Sequence, residues 1–173
     1  MSDDILKAVA KSSLAHRVQI RAFPSPGAGA DFSTQVGNGE VWRVIGFTAT
    51  LTTSAAAANR VPAVRITDQT NVGGIASLSL AITATSVVTV SWGLYASTSA
   101  TVVTGGSTTV ALPEWTIPAG YLFQTVTGNI QAGDQWSAIT AMIELLDEPP
   151  YRVPLVGTEL DDEYDALRAQ GMS

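Results

Sequence analysis

The chain has 173 residues, no cysteine, one histidine and a formal net charge of −6, with 46% hydrophobic but only 14% charged residues. That length suits one domain with a core of ordinary size, and the missing cysteines exclude disulfides, thiolate metal sites and cysteine nucleophiles. Positive charge is locally enriched only at Lys7, Lys11, Arg17 and Arg21, too thin a cluster for a phosphate track, so nucleic acid is not an expected partner.

Taken in chain order, residues 3–15 read as a short helical arm. Asp3 or Asp4 can cap it, and Ile5, Leu6, Val9 and Leu14 have partial helical spacing. So short a helix is not stable alone and needs something to dock on. The acidic start Met1-Ser2-Asp3-Asp4 is not the start of a signal peptide. No apolar run approaches the ~20 residues that span a bilayer, so no membrane association is expected.

From Arg17 the period changes to two. Val18, Ile20 and Ala22 alternate with Arg17, Gln19 and Arg21, the pattern of a half-buried strand whose apolar side faces in. Residues 24–30 (PSPGAGA) form a loop. Residues 40–53 give the clearest strand, with Ile45, Phe47, Ala49 and Leu51 on one face and Thr48, Thr50 and Thr52 on the other. Gly46 within it marks a bulge or a close backbone approach.

A strand follows near 60–68, with Val64 and Ile66 facing in, and then a turn over Asp68–Gly74. Leu78, Leu80 and Ile82 alternate with Ser77, Ser79 and Thr83, as Val88, Val90, Trp92 and Leu94 do with Thr89, Ser91 and Gly93. Past a loop at 97–106 come short strands at Val110–Leu112, at Trp115–Ile117 and at Tyr121–Thr127. Trp136–Leu146 is the last long strand, with Ile139, Ala141, Ile143 and Leu145 on one face.

About eight strands joined by short turns predict an all-β, antiparallel β-sandwich of jelly-roll type over residues 17–147. Nothing between the strands is long enough for a crossover helix, so parallel pairing is not expected. Residues 1–16 are then an N-terminal arm. Residues 148–173 begin with Pro149-Pro150 and Pro154, an extended linker. Thr158 and Asp161 resemble a capping box opening a short acidic helix, which Gly171 stops. Leu160, Tyr164 and Leu167 form its narrow apolar stripe. The stripes Ile5, Leu6, Val9 and Leu160, Tyr164, Leu167 are therefore the candidate partner-docking residues.

Catalytic chemistry is not visible. His16 stands alone and no Gly-x-Ser-x-Gly elbow accompanies it. One histidine cannot supply the metal cluster of a cupin-type jelly roll. Asp31, Glu40, Glu114 and Asp134 give no pairing suited to a glycosidase. The acidic run at 161–165 lacks the spaced ligands and glycine of a calcium loop. No catalytic, cofactor or metal site is expected. A low-charge Thr/Ser surface suits lasting contact with neighbours. Of the four tryptophans, Trp92 is in register with the core, and Trp115 is the best candidate for an exposed sugar-binding platform. A carbohydrate-binding jelly roll is thus the reading from another class.

Two stretches carry a resemblance. Gly39-Glu40-Val41-Trp42-Arg43-Val44 with TATLTTS at 48–54 and Asn59-Arg60 is one. Ile117-Pro118-Ala119-Gly120-Tyr121 with NIQAGDQW at 129–136 is the other. Over roughly residues 39–147 the chain resembles small structural proteins of tailed bacteriophages. The resemblance implies a virion protein made in the host cytoplasm, plausibly a capsid decoration (cement) protein. It implies a homotrimer bound to the major capsid protein or other virion proteins, with a neck, tail or fibre-associated role as the alternative. It carries no catalytic residues.

Overall fold

The computed structural model describes residues 17–99, 101–102 and 105–146. The docking candidates Ile5, Leu6, Val9, Leu160, Tyr164 and Leu167, and His16, lie outside the described residues. So do both predicted arms. Among the described residues there is no helix. Ten strands occur in chain order: β1 (Arg17–Phe23), β2 (Ser33–Gln35), β3 (Val41–Thr52), β4 (Val61–Thr67), β5 (Val72–Ser77), β6 (Val87–Leu94), β7 (Ser107–Leu112), β8 (Thr116–Ile117), β9 (Leu122–Gly128) and β10 (Gln135–Leu146).

They form a two-sheet β-sandwich. Sheet A has the order β1-β10-β3-β6-β7, with β8 pairing on β3, and sheet B has the order β2-β9-β4-β5. Four antiparallel pairs are nested one inside another along the chain: β4 with β5, β3 with β6, β2 with β9, and β1 with β10. The core between the sheets is aromatic. Phe47 stacks on Phe32 and meets Phe123 edge-on at 5.0 Å between centroids, and Trp92 packs between Phe47 and Trp136. Tilted and edge contacts of this kind add to the area that the rings bury.

Two bulges preserve the inward face of the long strands. In β3, Trp42 and Val44 are buried, as are Phe47, Ala49 and Leu51, so the inward parity changes between 44 and 47. Val44 and Gly46 pair with the consecutive residues Ile143 and Met142, which leaves Ile45 as the extra residue. In β10, Trp136 and Ile139 are both buried. The extra residue there falls between Ser137 and Thr140, where Ala138 takes a φ of 48°. A bulge inserts one residue and restores the face that would otherwise flip. The bulge expected at Gly46 thus lies one residue earlier, and Ile45 is half-buried instead of sharing the Phe47 face.

Three other expectations are corrected. The turn at 68–74 is shorter, because Val72–Ser77 is strand β5. Gly74 is there for packing: a Cβ on it would sit 2.7 Å from Nε1 of Trp115. Residues 78–86 then form an irregular crossing, in which Leu78 and Ile82 are buried and Ile82 bridges Arg60. Finally, β6 and β7 pair in parallel. The connection at 95–106 is about the dozen residues that a parallel crossover needs.

Phe47→Ala removes a buried ring that meets three other aromatics, and should cost about 3–5 kcal/mol in equilibrium denaturant unfolding. Gly74→Ala should cost about 1–3 kcal/mol, the usual penalty for overpacking, read as a lower unfolding midpoint with an unchanged circular dichroism spectrum.

Candidate interaction surface

The carboxylates come first, because only they could carry chemistry in so plain a chain. Asp134 is fully buried at one end of the sandwich with Arg60, also fully buried. Arg60 donates from Nε to Oδ2 and from Nη2 to Oδ1 of Asp134, at 2.8 and 2.9 Å. Ser54 donates its backbone N–H and its hydroxyl to Oδ1, and the Gln131 N–H donates to Oδ2. The other guanidinium nitrogen donates to the carbonyls of Ala56 and Ala58. Burial pushes the Asp134 carboxyl up, but the donors from Arg60, Ser54 and Gln131 outweigh it and hold the group well below the usual carboxylate range. With five donors on two oxygens, no lone pair is left for a substrate. The pair is a structural clamp between the 54–60 turn and the 131–134 turn.

Asp31 is committed in the same way. Its oxygens accept from the hydroxyls of Thr125 and Thr127, the Thr127 N–H and the Trp136 indole N–H. Glu40 pairs with Arg21 at 2.8 Å, and Glu114 with Arg43 at 2.8 Å. Among the described residues no group of three or more His, Asp or Glu side chains is placed to hold a metal ion. All four tryptophans are buried; Trp115, the best candidate for an exposed sugar-binding platform, is only 8% accessible and lies over Gly74.

What remains is the outer face of sheet A. Here β1 reverses the sequence expectation. Val18 and Ile20 are 56% and 72% exposed, while Gln19, Arg21 and Phe23 are the half-buried side. The cause lies beneath the strand. The inner side of β1 meets Phe32, Trp42 and Glu40, with Phe23 against the Phe32 ring and the Arg21 guanidinium 4.9 Å from the Trp42 ring centre. The Trp42 indole N–H donates to Glu40, which also accepts from Arg21. Arg21, with the indole N–H assisting against a partial burial effect, holds the Glu40 carboxyl below its usual range. Phe23 packs its ring on the core from this side, and the cation–π contact and ion pair of Arg21 add to it, so the aliphatic side of β1 is turned out. The sequence signal that was overlooked is Phe23, which shares the parity of Gln19 and Arg21.

The register turns this face into rows across the strands. Ile20, Met142, Gly46, Gly93 and Ala111 lie side by side in one row. The next row is Ala22, Thr140, Thr48, Ser91 and Thr109, and the one after it Ser137, Thr50, Thr89 and Ser107. Hydroxyls bond across the strands, Thr50 to Thr89 at 2.9 Å and Thr48 to Ser91 at 3.3 Å. Charge is confined to one end, where Glu144 faces Arg43. Between the apolar row and the hydroxyl row is a shallow depression of about 180 Å³ lined by Ile20, Gly46, Thr48, Thr140, Ala141 and Met142. Such a face offers shape and apolar contact.

No protein-family model, curated protein or solved structure matches the chain.

Asp134→Asn should lower stability by about 3–5 kcal/mol at pH 7, because Arg60 is left buried without its counter-charge. The folded carboxyl titrates below its unfolded value, so its contribution is complete above about pH 4 and is lost as pH falls further. The gap between the wild type and Asp134→Asn in urea titrations should therefore narrow between pH 4 and pH 2.

Proposed function

We propose that this protein is a non-enzymatic structural subunit of a tailed-bacteriophage virion, a capsid decoration protein that strengthens the shell through contacts with its neighbours. The observation that carries the reading is the outer face of sheet A: broad, almost uncharged, floored by glycine and hydroxyl side chains, and bordered by exposed Val18, Ile20 and Met142. An exposed apolar border on an otherwise weakly polar face marks a contact site. The chain enters β1 and leaves β10 at the same end of this face, since Arg17 pairs with Leu145.

The nested pairing supports a jelly-roll reading of the sandwich. With the short β8 and the edge strand β7 set aside, the chain folds like a long hairpin rolled into two four-stranded sheets, β1-β10-β3-β6 and β2-β9-β4-β5. The phage assignment itself rests on the resemblance of residues 39–147. In the described carboxylates, hydrogen bonds and ion pairs take up the acids that a hydrolase would need, which favours a binding surface over an enzyme.

Electron microscopy of particles carrying an epitope-tagged chain tests the reading. Many copies of label distributed over the shell are expected. Label restricted to the neck or tail would move the protein to that part of the particle, and particles without label would remove it from the virion.

A further inference from the structure

The chain has four asparagines, at 38, 59, 71 and 129, and asparagine is among the thermolabile residues. Its lability depends on the backbone nitrogen of the next residue reaching the side-chain amide carbon. At three of the four positions the fold works against that approach. After Asn59, the Arg60 N–H is bonded to the Ile82 carbonyl. Asn129 donates from Nδ2 to the Asn59 carbonyl, and the N–H of the following Ile130 is bonded to Thr127. Asn71 donates from Nδ2 to Asp68 and is followed by β-branched Val72, the first residue of β5.

Asn38 differs in each respect. It is exposed and is followed by Gly39, and neither its side-chain amide nor the Gly39 N–H is hydrogen-bonded to another described residue. The two residues are the centre of a turn closed by the Glu40 N–H on the Gly37 carbonyl at 3.1 Å. Gly39 has a φ of 76°, the position of a type II turn that favours glycine. The space where its Cβ would lie is open to 4 Å. The Asn38–Gly39 peptide plane can therefore rotate without breaking a hydrogen bond to the described residues, and Gly39 carries no side chain to obstruct it.

We propose that Asn38 is a site of spontaneous deamidation in the folded protein. The Gly39 backbone nitrogen loses its proton and bonds to Cγ of Asn38, the Cγ–Nδ2 bond breaks, and the nitrogen leaves as ammonia with the proton returned to it. The product is a five-membered succinimide. Water then adds to one of its two carbonyls and opens the ring, giving aspartate or the β-linked isoaspartate. Either product places a new carboxylate two residues from Glu40, the partner of Arg21. The Glu40 carboxylate also lies against this turn, since a Cβ on Gly37 would be 3.5 Å from its Oε2. Isoaspartate lengthens the turn by one backbone atom, immediately before the residue that holds β1 to the core.

Peptide mapping of the full-length chain tests this, because trypsin separates the asparagines: residues 22–43 contain Asn38, 44–60 contain Asn59, and 66–152 contain Asn71 and Asn129. After incubation of the folded protein at mildly alkaline pH and body temperature, the 22–43 fragment should gain the mass of amide-to-carboxylate conversion and take up heavy oxygen from labelled water. Part of it should be methylated by an isoaspartate-specific methyltransferase. The rate should rise in proportion to hydroxide, and the other two fragments should keep their amides while Asn38 loses half of its own. Asn38→Gln should abolish the change in the 22–43 fragment over the same period, since the six-membered ring it would need closes far more slowly. Asn38→Asp should co-elute on ion exchange with the aspartate form of the aged protein. An unchanged 22–43 fragment, conversion at the other asparagines at the same rate, or a rate indifferent to pH would overturn the proposal.

Discussion

Strands β3 and β10 each run for twelve residues side by side, and both must keep one face in the core for their whole length. A pleat alternates with period two, so one unmatched residue would send every later side chain to the wrong side. The two extra residues, Ile45 and Ala138, absorb that mismatch. Without the first, Trp42 and Val44 could not share the interior with Phe47, Ala49 and Leu51. Without the second, Trp136 could not lie in the same core as Ile139, Ala141 and Ile143. Strands β1, β6 and β8 take their registers from this central pair, so the rows of the outer face inherit their alignment from the two bulges.

Polar groups close what the aromatic core leaves open. The Arg60–Asp134 clamp ties two turns together at one end, while Asp31 ties inward-facing Thr125, Thr127 and the Trp136 indole within the sandwich. These buried groups are supplied with partners, as buried polar groups must be. At the edge, the Arg21–Glu40–Trp42 cluster performs a different task. It draws the polar side of β1 inward and so turns the aliphatic side out. The orientation of β1 thus follows from what lies under it, Phe23 on Phe32 and Arg21 on Trp42.

Much of the fold was legible in the residues. Period-two alternation in 47–52, 87–94 and 139–145 marked the strands and their inward sides, because those strands pack on a continuous opposing sheet. Legibility failed where a third body decided the outcome. Val18, Ile20 and Ala22 read as core residues from their alternation; only Phe23, on the other parity, points the other way, and Glu40 and Trp42 beneath the strand are distant in sequence. Gly74 read as part of a turn, since its reason is the Trp115 indole some forty positions away. Leu78, Leu80 and Ile82 alternate like a strand, yet residues 78–86 cross between the sheets and bury Leu78 and Ile82 without a ladder. The outer face of sheet A was hidden for the same reason: it is assembled from single outward residues of five strands, none of which forms a motif. The clamp was equally invisible, because Arg60 and Asp134 are distant in sequence and acquire meaning only when two turns meet.

The nested order of the pairs sets a sequence of events for folding. β4 and β5 are joined by a four-residue turn, whereas β1 and β10 must close a loop of more than a hundred residues. Loop closure grows costlier with length, and such distant pairings are slow to form. Pairing from the inside outward places β1 on β10 at the end, after β3 has received β6 and β2 has received β9. The exposed row through Ile20 and Met142 therefore comes into being only on a nearly finished molecule. A chain that stops short of the β1–β10 pairing lacks this row, so the row is a mark of the completed fold.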